Sequence, residues 1–413
     1  MTYTIEDLLF AACLGFSQMI EDLLFAACLG FSQMIEDARN DPMHGVFAGL
    51  TTLDIIHALD HEPDTATKTT STNHVMAAGG PATNAAVTAA ALNRVAGALK
   101  PGHEDEALAM TLLTALGGGT VAQFLAVDLK ESGVLSLDAT AASSTEDTPA
   151  ISSIIEHPRG RMVASTNARL DVDVDTGRAL LRAQIERVGP PDVVLVDGHN
   201  PGLANEALKW GVELAHEDGS HRGENLDDPF AFIEAKPPHL RILDGGSWKD
   251  WLTPLLPLID IAVVSADFCP PVLTQPDGEQ VAAFLRGFGI TRVIRTQGPD
   301  PVQWWWAGTS GEVEVPSVNA ISTLGAGDIF HGALAWALGH LHHSSRIIAE
   351  DEAGSTHPHA RDTHVHTDGM DNPSAVIAFA SDVAALSTQS FGTRSWRETP
   401  ELESIVARFL EAN

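Results

Sequence analysis

From Val46 onward, short apolar runs alternate with stretches of helical character, and most of these runs stop at a glycine-bearing turn. The runs are Val46–Leu50, Met110–Leu116, Asp192–Val196, Arg241–Leu243, Ile259–Val264 and Arg292–Thr296. A run that is apolar throughout, rather than alternating, suits a strand covered on both faces, and strands separated by helices pair in parallel. The expected fold is α/β: a doubly wound, mostly parallel sheet flanked by helices. Gly117-Gly118-Gly119, Asp197-Gly198-His199, Asp244-Gly245-Gly246 and Gln297-Gly298-Pro299 follow four of the runs. Ligands of open parallel sheets sit at the carboxyl ends of the strands, so a site is sought at these turns.

Other segments depart from this alternation. Residues 55–77 and 148–167 mix Thr, His and apolar residues with some period-two alternation, and together predict a small β lid. Residues 342–372 are acidic, polar and rich in His, which predicts a surface insertion without a packed core. At the other end, Ile5–Met19 recurs residue for residue as Ile20–Met34. At about 100° per residue, a shift of that length turns the second copy's face by about 60°, so one straight helix cannot bury both copies along one stripe. Residues 1–45 are therefore expected to be a dispensable extension, with an oligomerisation or membrane-surface helix as the alternative, and 46–413 the working domain.

Asp and Glu number 55 against 24 Lys and Arg, a formal charge of −31 that repels nucleic acid and anionic membranes. Phosphate can still be held locally, because helix N-termini and oriented backbone N–H groups act at short range. The three cysteines, Cys13, Cys28 and Cys269, make no disulfide framework. Glu6, Asp7 and Glu21 interrupt an N-terminus that has no Lys or Arg in its first twenty residues, unlike a secretory signal. With no uninterrupted apolar run of spanning length, the expected location is cytoplasmic.

The most informative stretch runs from Ser322 through Thr323-Leu324-Gly325-Ala326-Gly327-Asp328 into the apolar helix Ile329–Leu334. Gly325, Ala326 and Gly327 can aim N–H groups at an anion where the helix dipole also favours negative charge. Asp328, in the first turn, reads by residue type first as a helix cap, and otherwise as a carboxylate placed beside that anion. Upstream, Gly79 and Gly80 let the chain approach a ligand closely, Pro81 suits a helix start, and Asn84 returns to the same face with a donor and an acceptor. Other chemistries lack their motifs: there is no Gly-x-x-x-x-Gly-Lys-Ser/Thr, His-Glu-x-x-His, Cys-x-x-Cys or Gly-x-Ser-x-Gly. His357-x-His359 and His364-x-His366 read as a solvated run, and Trp304-Trp305-Trp306 as a β edge.

Ser322 to Asp328 resembles the Asp-Thr-x-Gly-Ala-Gly-Asp signature of the PfkB carbohydrate kinases, the ribokinase family, with Ser322 where the family has Asp. Gly79 to Ala85 resembles the family's Gly-Gly-x-x-x-Asn-x-Ala sugar segment, Gly49 to Asp54 its first strand and turn, and Thr296-Gln297-Gly298 its nucleotide-side Thr-x-Gly. Ser265 to Phe268 stands where the family has Asn-x-x-Glu, with neither end matching. The likeness covers Val46 to about His340 and Pro373 to about Trp396, and leans toward ketohexokinase-like members. It implies a ribokinase-like fold, ATP and Mg²⁺ as cofactors, and a sugar as acceptor. It further implies Asp328 as general base and Gly325 to Gly327 as anion hole. Asp54, Gly79, Gly80 and Asn84 would hold the sugar, Thr296, Gly298 and Thr323 would meet the nucleotide, and Asp267 is the weak metal candidate. A monovalent cation and a homodimer through the lid are admitted by the resemblance, while Arg161, in the expected lid turn, reads as a phosphate contact or as a surface Arg with no ligand. A nucleoside kinase on the same scaffold and a catalytically weak sugar sensor are the alternatives.

Overall fold

The computed structural model describes residues 43–64, 66–99, 110–210, 239–354 and 372–412. The N-terminal duplication, and residues 355–371 of the polar His-rich segment, lie outside the described residues. Pro42–His343 with His366–Asn413 form one compact unit, which holds both of the sheets.

Nine strands build the main sheet. In chain order they are β1 (Gly45–Ala48), β4 (Met110–Thr114), β5 (Val134–Asp138), β8 (Val193–Val196), β9 (Leu240–Gly246), β10 (Ile261–Ser265), β11 (Arg292–Gln297), β12 (Asp300–Trp306) and β13 (Thr309–Val313). Their spatial order is β13-β12-β11-β10-β9-β8-β1-β4-β5. All neighbours pair in parallel except at β12 and β13, which close one edge as antiparallel hairpins. All six expected strands are present. β1, β4 and β8 are buried at every position, which is why they read as continuous apolar runs.

The helices divide between the two faces as a doubly wound sheet requires. α1 (Pro81–Ala98), α2 (Gly119–Glu131), α6 (Ala326–Gly354), α7 (Ser374–Ser387) and α8 (Pro400–Ala412) pack into one apolar core. α3 (Val174–Val188), α4 (Pro201–Lys209) and α5 (Gly278–Arg286) pack into the other. Asp173 caps α3 by accepting from the Thr176 N–H, and Asp277 with Gln280 forms a capping box on α5. α6 continues to Gly354, so the first part of the segment read as an insertion without a packed core is helical.

The triple tryptophan is one strand in from the edge rather than the edge itself. Trp304 and Trp306 are buried in the first core while Trp305 turns to the opposite face, and β13 covers β12. Gly311 of β13 makes this possible, because a Cβ there would run into the Trp304 indole.

A second sheet is built from β2 (Thr52–Ala58), β3 (Asn73–Gly79), β6 (Ile151–His157) and β7 (Gly160–Ser165) in the order β3-β2-β6-β7. These strands arise from the two segments with period-two alternation. β2 and β6 run parallel, and the outer pairs are antiparallel. Arg161 is exposed on β7, opposite Glu156 in the register.

Candidate active site

Two helix N-termini, those of α1 and α6, meet above the carboxyl ends of β1, β8 and β9. Their approach depends on Gly332, four residues beyond Asp328 in α6, since a Cβ there would overlap the Ala85 backbone of α1. The start of α1 is held without a cap of its own: Gly80 supplies no side chain, and Asp197 at the end of β8 does the work from outside. Asp197 Oδ2 accepts from the Ala82 N–H (3.1 Å) and from the Leu50 N–H (2.9 Å), tying three elements together. Gly49 lies so close to that carboxylate that no side chain fits there.

Asp54 is buried on β2 and accepts from the Thr52 hydroxyl at 2.8 Å. Its carboxylate lies over the backbone of Gly79, where a Cβ would collide with it. Burial pushes the Asp54 carboxyl up from the ordinary range, and the Thr52 hydroxyl and the Arg394 guanidinium pull it back. Gly80 takes φ 101°, and a Cβ on it would run into the Leu50 carbonyl, a conformation and a closeness that favour glycine.

Asn84, in the first turns of α1, faces two partners. Its Nδ2 donates to Asp328 Oδ2 at 2.8 Å, and its Oδ1 accepts from Arg394 at 3.2 Å. Arg394, from the segment between α7 and α8, also donates to the Ala78 carbonyl and lies 3.7 Å from the Asp128 carboxylate of α2. Asp128 in turn accepts from the Ala78 N–H. Arg394 thereby fixes which end of the Asn84 amide points at Asp328.

Asp328 is half-buried and open to the cleft. Surrounding protein pushes its carboxyl up to about 7, and the Asp244 carboxylate at the end of β9 adds to this, while the Asn84 hydrogen bond and His331 oppose it. Asp244 and His331 are both buried and lie 2.9 Å apart at ion-pairing distance, and this pairing raises the His331 imidazole against its burial. Just before Asp328, Gly325 takes φ 72°, and open space lies in front of Gly327. Ala326 continues that turn into the helix, its N–H reaching the Thr323 carbonyl at 3.4 Å, and Thr323 itself is exposed.

The cleft thus gathers Asp54, Gly79, Gly80, Asn84, Gly325 and Asp328. Thr296 and Gly298 lie at the carboxyl end of β11, where Gly298 at φ 65° turns the chain into β12. Asp267 is exposed past β10, its N–H bonded to the Ser265 hydroxyl. Among the described residues, no three His, Cys, Asp or Glu side chains gather as a metal site.

The pfkB family carbohydrate kinase profile matches residues 46–400. The chain belongs to that family. As a pfkB carbohydrate kinase it is a phosphotransferase, and solved structures repeat its fold. A proposed ribokinase from Agrobacterium tumefaciens is 23% identical, with a TM-score of 0.59 over 89% of this chain and 99% of that one. Ribokinase from Giardia lamblia is 14% identical, with a TM-score of 0.58 over 89% and 99%. Arabidopsis thaliana ribokinase, solved with ribose and ATP, is 16% identical, with a TM-score of 0.53 over 90% and 99%. No curated protein sequence matches the chain. Among the described residues, no helix is long and apolar enough to cross a membrane.

Sequence reasoning passed over Arg394, Asp128 and His331, and treated Asp197 and Asp244 only as parts of turns. The two aspartates carried a signal, a carboxylate ending an apolar strand. Arg394 carried none, because its partners are far away in the chain.

Proposed function

We propose that this kinase transfers the γ-phosphoryl group of ATP to a hydroxyl of a free sugar, with Asp328 as the general base. The observation that carries this reading is the Asp328 carboxylate at the N-terminus of α6. It stands directly after an open Gly-Ala-Gly turn and within 2.8 Å of Asn84, whose helix begins at Gly79 and Gly80 beside Asp54. Asp54 and Asn84 would fix sugar hydroxyls. The acceptor oxygen would form its bond to the γ-phosphorus as the bond from phosphorus to the β–γ bridging oxygen breaks. Its proton would pass to Asp328, and ADP would leave.

The N–H groups of Gly325 and Gly327, with the α6 dipole behind them, suit the charge on the transferring group, and the Ala326 N–H would join them by leaving its long 3.4 Å contact with the Thr323 carbonyl. Thr296, Gly298 and Thr323 would line the nucleotide side. Mg²⁺ is usually held by one or two carboxylates together with substrate phosphates and water, and an exposed Asp267 fits that style of binding. When bound, the ion would neutralise phosphate charge. The Ser322 hydroxyl, where the family has a carboxylate, already has protein partners, which weighs against a monovalent cation at that residue.

ADP release measured on a panel of sugars and nucleosides tests the reading. A free ketohexose or pentose is expected to support turnover above any nucleoside; turnover with adenosine but with neither fructose nor ribose would refute it. Gly79→Ala is expected to push the Asp54 carboxylate aside and lower kcat/KM for the sugar by ~10²-fold, the scale of a misplacement near 1 Å. Steady-state kinetics with circular dichroism as a folding control would check this.

A further inference from the structure

Glu156 lies in β6, in register with Ala58 of β2, while Asp54 is in register with Ser152. Alternate residues of a strand share a face, so Glu156 and Asp54 stand on one face of the small sheet, about four residues apart. Ile56 and Ile154 are buried on that face between them. From there Glu156 reaches the segment that leads to the Gly-Ala-Gly turn: the Ser322 hydroxyl donates to Glu156 Oε1 at 2.7 Å. The same hydroxyl accepts from the Leu324 N–H at 3.2 Å, one residue before Gly325. The backbone of this segment is anchored on its other side, where the Ile321 and Ser322 N–H groups both donate to the Thr388 carbonyl.

A hydroxyl has one proton and two lone pairs, so Ser322 can serve a carboxylate and an N–H at once. A carboxylate at position 322 could not, because it has no proton to give and two ionised carboxylates at that distance repel. Serine at 322 and glutamate at 156 are chemically matched. Among the described residues, Glu156 Oε2 is buried without a hydrogen-bond partner, so the Ser322 contact is what holds this side chain. Arg161 faces Glu156 across the β6–β7 register but is exposed.

Resting on the sugar-kinase reading above, we propose that Glu156 is a positioning residue for phosphoryl transfer. Through the Ser322 hydroxyl it ties the sheet that carries Asp54 to the turn that would hold the transferring phosphoryl group. The acceptor hydroxyl and the anion hole then keep a fixed separation.

The test uses the full chain and two readouts: kcat/KM for the sugar, and amide hydrogen exchange in peptides spanning 151–157 and 321–327. Glu156→Ala and Ser322→Ala are each expected to lower kcat/KM about tenfold, the worth of one hydrogen bond to a charged group, and the double variant to fall no further. Ser322→Asp is expected to be worse than Ser322→Ala, and adding Glu156→Gln should recover about tenfold, since the glutamine amide can donate to the new carboxylate. Exchange in 321–327 should speed up in Glu156→Ala. Additive losses, no rescue of Ser322→Asp by Glu156→Gln, and unchanged exchange would overturn the tether. A wild-type protein that phosphorylates no sugar would sink the functional reading instead, while the exchange data still decide whether the tether exists.

Discussion

Asp328→Asn is expected to lower kcat by ~10²–10⁴-fold, the usual worth of a general base, while the protein melts at a higher temperature than the wild type at pH 8. Asparagine keeps the size of the side chain, caps a helix nearly as well, and still offers Asn84 Nδ2 an oxygen, so the local hydrogen bond survives. What disappears is the proton acceptor and, with it, a half-buried negative charge near Asp244. The Asp328 carboxyl is pushed up to about 7 in the fold against an ordinary value of 3.8. Its favourable contribution is therefore complete below the ordinary value and is lost as pH rises through 7, where the folded protein must carry the charge. The stability gain of the asparagine variant should be present at pH 8 and vanish as pH falls toward 4. A carboxylate that served only as a helix cap would behave the opposite way, giving intact turnover and slightly lower stability. Thermal midpoints and kcat measured on one preparation at both pH values separate the two.

Arg394→Met should lose about 3 kcal/mol of stability and ~10²-fold in kcat/KM for the sugar, the first figure being typical for removing one partner of a buried ion pair. The guanidinium donates to Ala78 and to Asn84 and lies beside Asp128, so its removal leaves a carbonyl, an amide and a carboxylate without their cation. The kinetic loss has a specific cause. Without Arg394 the Asn84 amide is free to flip and present its oxygen to Asp328, which replaces a donor at that carboxylate by an acceptor. Arg394→Lys should recover part of the stability and little of the activity, because an ammonium cannot reproduce the fork that serves three groups at once. Urea unfolding and steady-state kinetics report the two effects separately. Full activity in the lysine variant would mean that Arg394 contributes charge alone and leaves the Asn84 amide unoriented.

The strands at the centre of the sheet were legible because they are buried on both faces and are mostly apolar, with a few buried polar residues such as Thr111 and Asp244 among them. β5 was not, since Val134–Asp138 pairs only with β4 at the sheet edge and carries Ser136 and Asp138. The triple tryptophan of β12 was read as an edge because it follows a strand and the Gly298 turn. Its cover, Thr309–Val313, is a short polar run that is itself mostly exposed. Glycines announced the close approaches at Gly79, Gly80 and Gly325, since a missing side chain is visible in the sequence whatever lies opposite.

The polar network around Asp328 was legible only in part. Asn84 and Asp328 sit next to glycine turns and stand out for that reason, whereas Arg394 acts on Asn84 across more than three hundred residues of chain. Glu156 and Ser322 read separately as an unremarked strand residue and as a departure from the family signature. Their relation appears only when the two sheets are placed together.

The most direct measurement is the pH dependence of kcat/KM for the sugar in the wild type, with Asp328→Asn run beside it. The groups facing Asp328 are Asn84 from α1, Asp197 from β8, Asp244 from β9 and His331 from α6, and burial with the carboxylates outweighs the donors. If Asp328 is the base, the wild-type profile should fall about tenfold per pH unit below an inflection near 7, and the residual activity of Asp328→Asn should lack that inflection. A wild-type profile that stays flat down to pH 5, or an inflection that persists unchanged in Asp328→Asn, would contradict the assignment.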